Sequence, residues 1–177
     1  MHHTRGNLNN HIGLPLTLLR MPSTDKVCVL EMGMSGFGEI ETLAEICRPT
    51  IRVITNVGPV HLEGVGGSLE GVARAKGELF ATAGIGDVCI INADDELVSS
   101  LKILPGCEVL SFGRAREGGK AQPDVVFDEI RSVELREVDF KLTVTKPSDV
   151  AETRSHRVTI SEPGAKNLTF AFVRCSH

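Results

Sequence analysis

A chain of 177 residues, 41% of them hydrophobic and 24% charged, has room for one domain with its own core. Its formal net charge of −4 leaves no basic footprint for nucleic acid or an acidic membrane surface, and no run of apolar residues is long enough to span a bilayer. The opening MHHTRGNLNN lacks an apolar stretch, so no secretory leader is expected there.

Val27–Met32 (VCVLEM) is a continuous apolar run closed by Gly33, the pattern of a strand buried on both faces. Glu39–Cys47 (EIETLAEIC) has helical spacing at Ile40, Leu43, Ala44 and Cys47, and Pro49 stops it. Ile51–Val57 is the next strand. Ser68 is placed to cap a helix through Leu69, Val72, Ala73, Lys76, Leu79 and Phe80, ending near Gly84. Val88–Asn92 is a third strand, Asp94 or Asp95 caps a helix through Leu101, and Val109–Phe112 is a fourth strand. Strand–helix–strand repetition predicts an α/β fold, a mostly parallel sheet flanked by helices over residues 6–115.

After Gly118-Gly119 the texture changes. Val125–Val133, Val138–Thr145 and Arg157–Ile160 alternate as half-exposed strands without helices between them, an antiparallel edge extension over residues 120–162. Residues 163–177 read as a turn and the start of a helix. The five cysteines include no C-x-x-C pair, and Cys28 and Cys89 lie within strands as small hydrophobes. This predicts a reducing compartment with neither a disulfide framework nor a zinc site.

Ligands of open α/β sheets bind beyond the carboxyl ends of the strands. Glu31 is the lone charge in its strand, where an unpaired carboxylate costs several kcal/mol. Strand fraying or an arginine partner is the structural alternative. Asn56 ends the second strand and His61 follows in a loop, where a histidine is more often structural than a ligand. Asn92, Asp94 and Asp95 end the third strand, and the two aspartates fit a helix cap better than a metal site. Lys76 lies among small and apolar residues, and snorkelling is its ordinary explanation. Gly64, Gly66 and Gly67 precede a helix, but neither G-x-x-x-x-G-K-[ST] nor a strand-linked G-x-G-x-x-G occurs.

Taken together, Gly6–Arg20 (GNLNNHIGLPLTLLR), Val29–Pro49, Ile54–Phe80 (ITNVGPVHLEGVGGSLEGVARAKGELF) and Ile91–Asp95 (INADD) resemble the central, ATP-binding domain of the Mur ligases. The resemblance is dense over residues 6–95 and looser to about 172. It is closest to the branch that joins D-alanyl-D-alanine to a UDP-muramoyl-tripeptide in peptidoglycan precursor synthesis. It implies a single partial central domain over 1–177, a P-loop-type fold lacking its P-loop strand, with the family's N-terminal and C-terminal domains absent. It also implies ATP and magnesium as cofactors. Glu31 and His61 match magnesium ligands, and Lys76 matches a lysine carbamylated with CO2 that helps to hold the ion. Asn9 and Asn10 match a substrate-binding pair, Asn56 matches the Asn of T-N-V, and Asn167 in PGAKNLTFAF matches an adenine-facing asparagine. LEMGMSG is similar to plant and algal versions, so a plastid is the alternative to the cytoplasm.

The departures from the family pattern are several. This chain carries no P-loop, so the backbone cradle for the β/γ-phosphates is missing and no turnover by the chain alone is expected. Lys166 and Phe170 stand where the tail motif has His and Asn, and VGGS has one glycine more than the usual form. Loss of the first family strand would leave a new sheet edge for another chain, and a partner supplying the missing parts is one expectation. Whether the chain by itself is an enzyme is left open. A non-catalytic module binding muramoyl-peptide through GNLNN and a related ligase such as folylpolyglutamate synthetase are the alternatives.

Overall fold

The computed structural model describes the backbone of residues 1–118, 121–133, 137–144, 154–161 and 169–174, with side chains described mainly through Phe127. Its described strands form one sheet in the order β1-β2-β9-β3-β4-β5-β6-β7-β8. The parallel part uses β1 (His2–His3), β2 (Val27–Glu31), β3 (Ile51–Ile54), β4 (Val88–Asn92) and β5 (Glu108–Arg114). Among the described residues four helices accompany it: α1 (Gly13–Leu19), α2 (Glu39–Cys47), α3 (Leu69–Ala81) and α4 (Glu96–Ser99). The crossovers through α2 and α3 keep β2, β3 and β4 pointing the same way.

Local chemistry fixes several boundaries. The Ser68 hydroxyl accepts from the Gly71 N–H at 3.0 Å and starts α3. Asp95 Oδ1 accepts from the N–H groups of Leu97 and Val98, each at 3.0 Å, and starts α4. Helix α2 has no side-chain cap of its own, since Gly38 precedes it. Glu78 of α3 does that work instead, accepting from Gly38 N–H at 2.8 Å and Glu41 N–H at 3.3 Å. Beneath these helices lies one apolar cluster, including Leu30, Ile40, Ile54, Val72, Leu79 and Phe80. Cys28, Cys47 and Cys89 are buried within it, Cys28 and Cys89 as the small hydrophobes their strand setting predicts.

The antiparallel extension is also present. β6 (Val125–Val133) joins β5 in parallel, and β7 (Glu137–Val144) and β8 (Arg154–Ser161) follow as antiparallel neighbours. A register shift interrupts the β6–β7 ladder between Asp128 and Arg131.

Three features differ from the sequence reading. Residues 1–4 are ordered along the sheet, with His2 and His3 paired to Cys28 and Val29. Gly13–Leu19 is a helix that the reading omitted, and its Pro15 is tolerated because it sits in the first turn. The expected helix start in the tail is incorrect where the structure describes it. Thr169–Arg174 is strand β9, antiparallel to both β2 and β3 and lying between them. Unpaired N–H and C=O groups on the facing edges of β2 and β3 make this gap costly to leave open, and ladder pairing outweighs local helix preference. The outer strands of the described sheet are β1 and β8.

Candidate functional site

The C-terminal ends of β2, β3 and β4 define a rim where the polar residues singled out in the sequence collect. Glu31 is the last residue of β2 and is half-buried. Its Oε1 accepts from Asn9 Nδ2 at 2.9 Å, and its backbone N–H donates to Thr4 Oγ1 at 2.9 Å. Asn9 in turn accepts the Gly33 N–H on its carbonyl at 2.9 Å. A Cβ at Gly33 would come within 3.0 Å of the Asn9 side chain, so glycine permits this approach. The segment GNLNN thus works partly as a brace for Glu31. Asn10 spends its Oδ1 on the start of α1, accepting from Ile12 N–H at 3.1 Å and Gly13 N–H at 2.9 Å. It also lines a cavity of about 400 Å³ with His11, Phe37, Glu39 and Thr42.

Two strand spacings, about 10 Å, separate the β2 end from the β3 end, because β9 lies between them. The loops beyond these strands nevertheless meet. Gly64 sits against Ser35 and Gly36, where a Cβ would collide with the Ser35 carbonyl. Arg74 stacks its guanidinium 4.2 Å from the Phe37 ring centroid.

Lys76 is only 3% exposed, so snorkelling to solvent is not its state. Helix α3 places it among Val72, Ala73, Ala75, Leu79 and Phe80, and its Nζ donates to the Asn56 carbonyl at 2.8 Å. Burial pushes its amine down to about 8, against an upward pull from the Asp95 carboxylate. The Asn56 Oδ1 is buried with no hydrogen-bond partner among the described residues. Asn92 Nδ2 donates to the Thr55 carbonyl at 2.7 Å, and Val57 N–H donates to Asp95 Oδ2 at 2.7 Å. The sequence marks Asp95 as a helix cap in preference to a metal ligand, and its tie to Val57 is not part of that reading. Its spacing of three residues from Asn92 at a strand end was the available signal.

His61 occupies the left-handed region at φ 55°, ahead of a 3-10 turn over Leu62–Val65. That conformation costs a non-glycine residue roughly 1–2 kcal/mol. It exposes the ring beyond β3. Among the described residues, no three His, Cys, Asp or Glu side chains gather in a metal-sized cluster. Glu31, His61 and Lys76 therefore do not form a closed protein cage. A magnesium ion does not require one, because one or two protein oxygens suffice when water and phosphate complete its shell. Glu31 offers such an oxygen, and Asn56, whose backbone carbonyl holds the amine, keeps a buried side-chain acceptor without a partner among the described residues. As an ammonium, Lys76 offers none. Asn167 lies outside the described residues.

An α/β sheet with its polar residues beyond the carboxyl ends of parallel strands is the architecture of nucleotide- and cofactor-binding enzymes and binding proteins. The Mur ligase middle-domain model matches residues 1–172, and the chain belongs to that family. It is 40% identical over 125 residues to UDP-N-acetylmuramoyl-tripeptide–D-alanyl-D-alanine ligase of Bacillus subtilis (strain 168), covering 71% of this chain and 26% of that protein. The Escherichia coli (strain K12) protein of the same name is 44% identical over 93 residues, covering 52% and 20%. The fold superposes on MurF from Acinetobacter baumannii with a TM-score of 0.73 and 29% identity, over 92% of this chain and 32% of that one. The chain thus spans about a quarter of the curated relatives' length.

Proposed function

We propose that residues 1–177 are one partial Mur ligase central domain, the ATP-facing portion of a ligase that joins D-alanyl-D-alanine to a UDP-muramoyl-tripeptide. The reaction transfers the γ-phosphoryl of ATP to a substrate carboxylate, giving an acyl phosphate and ADP. The incoming amine attacks the acyl carbon, forms the amide and expels phosphate. The names of the relatives support this assignment of substrates.

The observation that carries the reading is Lys76: a buried amine, lowered to about 8, held against the loop carrying Asn56. At pH 7.4 such an amine is neutral about 200 times more often than an ordinary lysine, and only the neutral form reacts with CO2. The product carbamate is an anion with oxygen donors. It would join Glu31, with His61 from the neighbouring loop, in holding magnesium, which supplies charge neutralisation for the phosphates. Asn56 would orient the nucleotide side of this site, and Asn9 keeps the Glu31 carboxylate aimed. Asn10 and the cavity it lines would receive part of the muramoyl-peptide. Magnesium, ATP and the cytoplasm, or a plastid in a photosynthetic host, belong to the same reading.

The sequence supplies no phosphate cradle, and that cradle carries most of the stabilisation of phosphoryl transfer. The isolated chain should release no phosphate from ATP with UDP-muramoyl-tripeptide and D-alanyl-D-alanine. Turnover that Lys76→Ala abolishes would show that the cradle is dispensable. The direct test is carbon-13 NMR of the chain under labelled CO2 at pH 8. A carbamate signal lost in Lys76→Ala is the expected result, and a wild-type spectrum without one would overturn the assignment of Lys76.

A further inference from the structure

We infer that Asn92 and Asp95 act together as a positioning clamp for Lys76, working through the Thr55–Val57 loop. This rests on the reading of Lys76 as the working amine. Three consecutive loop residues are tied to three different elements. The Thr55 carbonyl accepts from Asn92 Nδ2 at the end of β4, 2.7 Å away. The Asn56 carbonyl accepts from Lys76 Nζ of α3 at 2.8 Å. Val57 N–H donates to Asp95 Oδ2 ahead of α4, at 2.7 Å.

A helix cap needs one acceptor oxygen, and Asp95 Oδ1 already serves Leu97 and Val98. Its second oxygen reaches a residue 38 positions away in sequence, which capping does not require. The clamp is itself braced: Asn92 Oδ1 accepts from Asp94 N–H at 2.9 Å, and the Asn92 carbonyl accepts from Ser99 Oγ at 3.1 Å. A charge-assisted bond on one side of Asn56 and an amide bond on the other fix the carbonyl to which Lys76 points. Displacement of a reacting group by about 1 Å costs on the order of 100-fold in rate, so a rigid acceptor for an otherwise mobile lysine tip has a use.

The test uses the full chain with labelled lysine, following the Lys76 side-chain resonances at fixed pH and assigning them by their loss in Lys76→Arg. Asn92→Leu removes the tie to Thr55 without changing charge. Asp95→Ser keeps a capping oxygen but is too short to reach Val57. Ser100→Ala weakens the far end of α4 and leaves the clamp alone. The expected result is that both clamp variants move the Lys76 resonances and speed hydrogen exchange at Val57 at least tenfold, with Ser100→Ala doing neither. If Asp95→Ser fails to fold, Asn92→Leu decides alone. Unmoved Lys76 resonances in Asn92→Leu would overturn the clamp, whatever Asp95→Ser does, because a charge effect would then account for the latter. The carbamate signal is read separately in the wild type. Its absence would sink the assignment of Lys76 while leaving a clamp that these variants can still demonstrate.

Discussion

Arg52 and Lys76 are each 3% exposed, and they lie near opposite ends of β3. Arg52, at the N-terminal end, has a full counter-ion. Its Nη1 donates to Asp87 Oδ2 at 2.7 Å and its Nη2 to the Thr82 carbonyl at 3.1 Å. Asp87 Oδ2 also accepts from Gly84 N–H at 2.6 Å. Lys76, at the C-terminal end, donates to a neutral carbonyl, and the carboxylate that pulls its pKa upward, Asp95, is committed to backbone N–H groups. The difference separates structure from chemistry. A paired guanidinium is locked and holds β3 to the turn before β4. A buried amine given a carbonyl in place of a carboxylate is left easier to deprotonate, as the proposed reaction with CO2 requires.

Breaking the structural pair should have the largest effect. Arg52→Met leaves Asp87 with no guanidinium and strands the Thr82 carbonyl. Loss of one partner of a buried pair costs about 3–5 kcal/mol. Urea unfolding measures it directly, and a loss below about 1 kcal/mol would mean that solvent reaches the pair and that the contrast with Lys76 fails.

The Lys76 end should respond to pH instead. Its amine is lowered from 10.5 to about 8 in the folded chain. Between those values the unfolded chain holds a proton that the folded chain has lost, so stability rises with pH across that window. Below about 8 both states are protonated, and the full cost of burying the ammonium persists. Relative to Lys76→Met, the wild type should gain about 3 kcal/mol between pH 8 and 10.5. Burial pushes the Cys47 and Cys89 thiols up to about 12, which destabilises both proteins alike at high pH and cancels in the difference. Paired urea titrations at pH 7 and 10 test this, and a pH-independent difference would remove burial as the cause.

How legible these features were in the sequence follows from how local they are. Glu39–Cys47 and Val88–Asn92 have the bounds that periodicity assigns, because each carries its own pattern and stop signal. Ser68 was readable as a cap because capping acts over three residues. Glu31 stood out as a lone charge in an apolar run, and Arg52 in IRVI carried the same signal but drew no notice. Its partner Asp87 is 35 residues away, a distance over which single-sequence pattern is silent. The same holds for Asp95 with Val57 and for Glu78 with α2. β9 was misread because its conformation is set by two edges that already exist, so TFAFVR answers to β2 and β3 rather than to its own neighbours. The binding roles matched to Asn9 and Asn10 conveyed nothing of their bracing and capping, since those depend on where Glu31 and α1 stand.

The smallest expected effects compare two ways of starting a rim helix. Helix α3 is capped from within by Ser68, and removal of that hydroxyl in Ser68→Ala should cost about 1 kcal/mol. Helix α2 is capped from outside by Glu78, two residues beyond Lys76 on α3. Glu78→Gln keeps one acceptor, loses the other and removes the charge that favours a helix N-terminus. It should cost a similar amount, on the order of 1 kcal/mol. Equal cost does not mean equal consequence. The loss in Ser68→Ala stays at the first turn of α3 and should speed exchange at Gly71 alone. Glu78→Gln should loosen Gly38 and Glu41 on a different helix, and with them the wall of the cavity that Asn10 lines. Amide exchange confined to α3 in both variants would show that the two helices are seated independently. Exchange reaching α2 only in Glu78→Gln would show that the helix carrying Lys76 also sets the shape of the neighbouring cavity.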